Sequence, residues 1–278
     1  MKKLVMIALV VVMSLAAVLG IAACNKTELV GFDVELAKAV GDYLGVKIEF
    51  QEINWDQKET ELESKNIDLL WNGVSINPER IEAWEMSGPY MLNEQVAIIR
   101  KSDKDKYDTL DKMKSTTEWI AEGGSEGKKV IESLGITPKQ AEAQINILTE
   151  LKSGTIDIGV MDKVMAGYYI NQSGSSYSAD LMIADVKLAE SEYYGIACRK
   201  GEKALMDKIN TALAAKYKDG TMTDIAEKYG LAEILIPYKY ESQWDSIENK
   251  ADWDYIVSRG SIKIGYTLFA PMNFKAKV

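Results

Sequence analysis

An arginine, an aspartate and one glycine-rich turn carry most of the chemistry this chain has to offer. Arg80 closes the run Asn77-Pro78-Glu79-Arg80. A guanidinium can grip a carboxylate through two parallel hydrogen bonds, which a lysine does not reproduce. The same four residues read equally as a helix start, with Asn as N-cap, Pro at the first position and an early acid, leaving Arg80 on the surface. The stretch "EGGSEGKKVIESLG", from Glu122 to Gly135, is a turn that opens a helix. Backbone amides at Ser125 and Glu126 would there face an anion. The Gly-Lys-Ser/Thr of a nucleotide loop is missing, which argues against phosphate. Asp162 ends an apolar run and could pair with an ammonium, although such a carboxylate is often merely solvated or capping. Gly73 lets a ligand approach the backbone, but is as readily a simple turn. Asp162 and Glu122 could also form an acid–base pair. Against catalysis, the sequence contains no histidine, which removes the commonest general base and metal ligand. No catalytic residue, metal or cofactor is expected.

These residues sit in a chain of 278 residues with 47% apolar and 27% charged content, enough for one large or two medium domains. The net charge of −9 argues against nucleic acid, whose phosphates call for excess Lys and Arg. Lys2 and Lys3 precede an uncharged run from Leu4 to Ile21 that ends at Ala22-Ala23-Cys24. That pattern reads as a signal peptide over residues 1–23, with a plain membrane anchor as the alternative. The second cysteine, Cys198, reads as a small buried filler.

Helix and strand patterns alternate from Gly31 onward. "GFDVELAKAVGDYLG" puts Val34, Ala37, Val40 and Leu44 on one helical face and stops at Gly45. "VKIEFQEI", "IDLLWNGVSI" and "EQVAIIRKSD" read as strands, "WDQKETELESKN" and "NPERIEAWEM" as helical, and Lys203 to Tyr229 as one long helical stretch. Such alternation predicts an α/β fold with mostly parallel sheets. "ELESKNIDLLWNG" also aligns with "ELKSGTIDIGVMD" at a constant spacing of 89 positions, Glu61 matching Glu150. Duplicated lobes account for this spacing, and chance likeness of two helix–strand units is the alternative. Ligands of open α/β sheets bind at the carboxyl ends of strands, which here are Asn72-Gly73 and Met161-Asp162.

The runs "GFDVELAKAV", "NIDLLWNGVSINPER", "SGTIDIGVMD" and "YYGIACRKG", in that order, resemble the extracytoplasmic solute-binding proteins of ABC importers. The likeness is to the polar amino acid group that includes glutamine-binding proteins, and it covers about Glu28 to Leu235. It implies a two-lobed periplasmic-binding-protein-like fold of type II, with a two-strand hinge. Lobe 1 would comprise residues 24–98 and 193–278, and lobe 2 residues 99–192. The Ile21-Ala22-Ala23-Cys24 ending resembles a lipoprotein box, so that Cys24 would be lipidated and the body held on the outer face of the cell membrane, in the periplasm or at the cell surface. The implied role is a monomeric receptor that binds an amino acid and delivers it to ABC permease subunits, with a dehydratase or lyase on the same scaffold, or a rearranged non-functional relative, as the alternatives. By the same resemblance Arg80 and Ser75 would hold the ligand carboxylate, with the amides of Ser125 and Glu126. The Gly73 carbonyl and Asp162 would hold its ammonium, Trp55 and Phe269 would flank its side chain, and Tyr266, Asn72 and Glu122 could read its identity.

One departure concerns order. The family's opening helix, strand and aromatic-Pro turn stand last here, in "DWDYIVSRGSIKIGYTLFAPMNF". A circular permutation joined through "IPYKYESQWDSIENK" would explain this, with the terminal strand folding back into the middle of lobe 1. A tandem gene cut short in its second copy is the alternative, in which the strand could pair with another molecule. Only Asn25-Lys26-Thr27 separate Cys24 from "ELVGFD", a short tether.

Overall fold

The computed structural model describes residues 27–171 and 175–277. Residues 1–23, expected to be a signal peptide, and Cys24 lie outside the described residues. The strands are β1 (Thr27–Val30), β2 (Lys47–Glu52), β3 (Leu69–Ser75), β4 (Trp84–Met86), β5 (Met91–Asn93), β6 (Gln95–Arg100), β7 (Trp119–Glu122), β8 (Lys139–Ala141), β9 (Ile158–Asp162), β10 (Leu181–Lys187), β11 (Glu192–Arg199), β12 (Ser261–Tyr266) and β13 (Phe274–Lys277). The helices are α1 (Phe32–Leu44), α2 (Lys58–Glu63), α3 (Pro78–Ala83), α4 (Leu110–Met113), α5 (Glu126–Ser133), α6 (Gln144–Ser153), α7 (Lys163–Asn171), α8 (Lys203–Lys218), α9 (Thr221–Lys228) and α10 (Ala251–Arg259). β1 and β13 form a two-stranded ladder. The body from Val30 to Phe274 holds two larger sheets, ordered β2-β12-β3-β11-β4, with β5 also on β11, and β10-β6-β9-β7-β8.

The sheets are mixed rather than mostly parallel. β12 pairs in parallel with β2 and β3, and β7 with β8 and β9, whereas β11 and β6 run antiparallel to every neighbour. The reason is that β6 and β11 are the strands by which the chain arrives from the opposite sheet. The two passages lie side by side, with Asn93 paired to Glu192.

Local chemistry explains the elements. Gly45, at φ 71°, caps α1 in the left-handed region, and the helix buries Phe32, Val34, Leu36, Ala37 and Val40. All seven residues of β3 are buried, as expected for a central strand covered on both faces. Its alternation sends Leu69 and Trp71 to one core and Leu70 and Val74 to another. The expected long helix after Lys203 is two helices, because Gly220 at φ 90° turns the chain between α8 and α9. The helical run after Pro78 ends at Ala83, where Trp84 pairs with Arg199 in β11.

The repeat recurs as hydrogen bonds. Arg199 Nη1 donates to the carbonyls of Leu62 and Ile67, and Nη2 reaches Asp68. Arg100 Nη1 donates to Leu151 and Ile156, and Nη2 to Asp157, each acceptor lying 89 positions further on. The shared Asp is therefore a structural anchor that ties a helix–strand unit to the incoming crossing strand.

Strand β12, the one expected to fold back and followed in the chain by β13, occupies the slot between β2 and β3. It is held by more than its ladders. Asp68, fully buried, ion-pairs with Arg259 and accepts from the Lys263 amide at 2.7 Å. The turn after β12 receives the first amides of α1, Phe32 N to Pro271 O at 3.0 Å and Asp33 N to Met272 O at 3.1 Å. A side chain at Gly31, where φ is 130°, would put Cβ 2.2 Å from the Met272 oxygen, so only glycine lets these segments meet.

Candidate functional site

Three strand ends and three helix starts converge on a narrow gap. It is lined by Trp55, Asn72, Gly73, Ser75 and Arg80 on the β3 side, and by Gln95, Glu122, Ser125, Glu126, Gln144 and Asp162 on the β9 side. Gly73 and Ser75 end β3, Glu122 ends β7 and Asp162 ends β9. The gap thus lies at carboxyl ends of strands.

On the first side Asn77 caps α3, its side chain accepting from the Arg80 amide at 2.9 Å, with Pro78 at the start of the helix. The capped-start reading of these residues is correct, but Arg80 is not on the surface: it is 5% exposed. Its Nη1 donates to the Ser75 carbonyl at 2.9 Å, and no described carboxylate lies within 4.0 Å of it. Burial lowers its pKa, opposed by Glu126, Glu192 and Asp162. A guanidinium stays protonated throughout, so this is a fixed buried cation with unused donors. Gly73 adopts φ 60°, and a Cβ there would lie 2.5 Å from the Phe269 ring. Its amide donates to Asp33 at 3.1 Å.

The second side is acidic and amide-rich. Asp162 Oδ1 accepts from Asn93 (2.5 Å), Gln95 (2.9 Å) and the Tyr194 hydroxyl (2.7 Å), while Gln144 donates to Oδ2. Oδ1 is saturated and Oδ2 keeps room for another donor. Burial pushes the Asp162 pKa up. Glu122, 4% exposed, is pushed to about 8 by burial and then by the Asp162 charge. Glu192, which accepts from Asn93 and Gln95 at 2.6 and 2.8 Å, is raised to about 7, first by burial and then by Asp162. Ser125 caps α5, taking the Lys128 amide on Oγ at 3.2 Å and donating to the Glu122 carbonyl at 2.8 Å.

The two sides touch directly. Lys58 Nζ donates to the Gly124 carbonyl at 3.0 Å, Asn77 Nδ2 to Glu126 at 2.9 Å, and Lys129 pairs with Glu79. The gap is closed over.

Of the residues singled out in the sequence, Arg80, Ser75, Gly73, Asp162, Ser125, Glu126, Trp55, Asn72 and Glu122 line this gap. Phe269 stands one layer behind, against Gly73 and edge-on to Tyr194 at 6.2 Å. Tyr266 points elsewhere, with its hydroxyl 3.4 Å from Glu52 and its ring edge-on to Phe50. Asn72 is committed to the terminal segment, bonding Thr267 and Asn273. Sequence reasoning missed Gln95, Gln144, Asn93, Tyr194, Glu192 and Lys58. Their positions follow from the closing of two sheets together, and no local pattern marks them. A wider hollow lined by Leu92, Val164, Tyr168, Tyr229 and Pro271 gathers no such opposed charges, since Lys163 and Glu94 there satisfy each other at 2.5 Å.

Among the described residues no helix is long and apolar enough to cross a membrane. The chain resembles known proteins. The chain is 26% identical over 208 residues to the L-cystine-binding protein TcyJ of Escherichia coli strain K12, covering 74% of this chain and 76% of that one. An ABC uptake transporter substrate binding protein from Streptococcus pneumoniae, solved with bound histidine, matches with TM-score 0.65 and 35% identity over 71% of this chain and 82% of its own. The ancestral amino acid-binding protein AncCDT-1, a precursor of cyclohexadienyl dehydratase, matches with TM-score 0.61 and 28% identity over 71% and 84%. The model of bacterial extracellular solute-binding proteins, family 3, matches residues 17–232, and the chain belongs to that family.

Proposed function

We propose that this protein is a receptor that closes two lobes over a single amino acid and presents it to the permease of an ABC importer. The observation that carries the reading is the opposition of a buried, unpaired guanidinium at Arg80 to a buried carboxylate at Asp162 across one gap. A zwitterion satisfies both at once. Its carboxylate would take the free Arg80 donors and the amides at Ser75 and Glu126, the Ser125 amide expected to join them being turned instead to the Glu122 carbonyl at 3.2 Å, and its ammonium would reach Asp162 Oδ2 and the Gly73 carbonyl. Trp55 would wall the side chain, with Phe269 supporting Gly73 from behind. Closure follows because a ligand touching both lobes binds the closed form better than the open one. The relatives that bind cystine and histidine support an amino acid as solute.

Two finer points belong to the same proposal. Cys24 would be lipidated, keeping the receptor on the outer face of the membrane. The order of the chain would be a circular permutation of the family's, in which β12 takes a place that the family fills from its N-terminus. Supporting this, the family match stops at residue 232 while β12 sits mid-sheet. The dehydratase-related neighbour makes an enzyme the alternative. Against it, the chain has no histidine and Asp162 is held as an acceptor by four side-chain donors.

Calorimetry on ligand-stripped protein with a panel of L-amino acids tests the reading. Saturable binding near micromolar, about −8 kcal/mol, is expected, without product. Folded protein giving no heat with any of them would overturn it. Membrane fractionation of Cys24→Ser tests the anchor: release into the soluble fraction is expected.

A further inference from the structure

Charge balance in the gap identifies the class of side chain that the solute carries. We infer, resting on the amino acid reading above, that the ligand side chain is cationic and that Glu122 is the residue that selects it. Glu122, Glu126 and Asp162 line the gap, against one lining cation, Arg80. The backbone half of an amino acid is neutral overall. It answers Arg80 with a carboxylate and Asp162 with an ammonium, and leaves the remaining acids as they were. Glu126 is partly exposed and already takes the Asn77 amide at 2.9 Å. Glu122 is the exception: it is buried, yet has no ion-pair partner among the described residues. Its hydrogen-bonding neighbours are the side chain and the backbone of Gln144, both neutral, and the side-chain amide is committed to Asp162 on both ends. Lys58, whose charge acts on Glu122, aims its Nζ at the carbonyls of Trp55 and Gly124 instead.

Glu122 and Asp162 end two strands of one sheet that pair in parallel through β9 and β7, so the two carboxyls stand on the same rim. Burial first and the Asp162 charge second disfavour the charged form of Glu122, and without a ligand a proton is the cheapest neutraliser. A guanidinium, ammonium or imidazolium on the solute replaces that proton and removes the like-charge conflict. An acidic side chain adds to it, and a neutral one leaves Glu122 protonated.

The test is calorimetry at pH 7.5 on stripped wild type and Glu122→Gln, with L-arginine, L-lysine and L-histidine against L-glutamine and L-glutamate. Wild type should bind at least one cationic amino acid at least about tenfold tighter than glutamine, the scale of one charge-assisted hydrogen bond, and glutamate weakest. Glu122→Gln should lose at least about tenfold for that cationic ligand while glutamine changes by less than about threefold. Glutamine or glutamate binding as tightly as every cationic amino acid overturns the inference and leaves the receptor reading intact. An unchanged cationic preference in a folded Glu122→Gln, checked by its melting curve, also overturns it. Binding of none of the five would overturn it too, and the wider panel then decides the receptor reading separately. If the variant misfolds, the wild-type ranking alone decides.

Discussion

Ile264→Ala in β12 measures how far the tail of the chain is built into the body. Ile264 is fully buried, aligned with Phe50 in β2 and Leu69 in β3. Truncating such a side chain leaves a cavity and costs about 2–5 kcal/mol. The segment it represents is larger still. Ile262, Ile264, Tyr266, Phe269 and Met272 are all buried, each contributing about 1.5–3 kcal/mol relative to exposure. Together they supply about 8–15 kcal/mol as an upper bound, comparable with the whole stability of a domain. Removing the segment also takes Arg259 and the Lys263 amide from the buried Asp68. A chain ending at Pro237 should therefore show no cooperative unfolding. Ile264→Ala should unfold cooperatively at a clearly lower urea midpoint, followed by tryptophan fluorescence. Val257, 55% exposed on α10, serves as control, its replacement by Ala shifting stability by less than about 0.5 kcal/mol. Wild-type midpoints for both Ile264→Ala and the shortened chain would refute the placement of β12.

Arg80→Lys keeps the charge but loses the fork, so affinity for the amino acid should fall roughly 10- to 100-fold by calorimetry with little change in melting temperature; unchanged affinity would remove Arg80 from the clamp. Gly73→Ala meets both a positive φ and the Phe269 ring, and should lower stability by about 1–3 kcal/mol in thermal melts. Lys58→Met breaks a buried link to the opposite side at 3.0 Å and should weaken ligand binding about 3- to 10-fold, whereas Lys129→Ala, at an exposed pair with Glu79, should change it by less than about threefold. The pH dependence has a definite sign. Burial lifts Asp33 from 3.8 to about 7 and Glu122 from 4.5 to about 8, so over that window the unfolded chain has released protons that the folded one still holds. The stability these two acids contribute is fully present below their unfolded values of 3.8 and 4.5 and falls as pH rises toward 8, whereas acids shifted downward, such as Glu35 and Asp157, lose theirs only in more acid solution. Ligand-free melts at pH 5.5 should exceed those at 7.5, with Glu122→Gln narrowing the gap; a higher melt at 7.5 would contradict the burial of these acids.

What could be read from the sequence follows the range of the forces involved. α1 and β3 were legible because periodicity and a terminating glycine are local, and the structure buries the expected Val34, Ala37 and Val40. The repeat was legible because each copy must offer the same Asp and carbonyls to an incoming arginine. Arg80 was half legible: its capping pattern is local, but its burial is decided by Trp84, whose ring lies 5.9 Å away, and by the far side of the gap. The partners of Asp162 were not legible at all. Asn93, Gln95, Gln144 and Tyr194 come from β5, β6, α6 and β11, and only the folded meeting of these elements brings their donors to one oxygen pair. That asymmetry has a mechanistic consequence. A carboxylate positioned by four donors from four elements is fixed only when all four are in register, so Asp162 reports the integrity of the crossing strands as well as of its own. Disturbing the Asn93–Glu192 pairing should then loosen the ammonium end of the site before the carboxylate end at Arg80, whose geometry is set within five residues by Ser75 and Asn77.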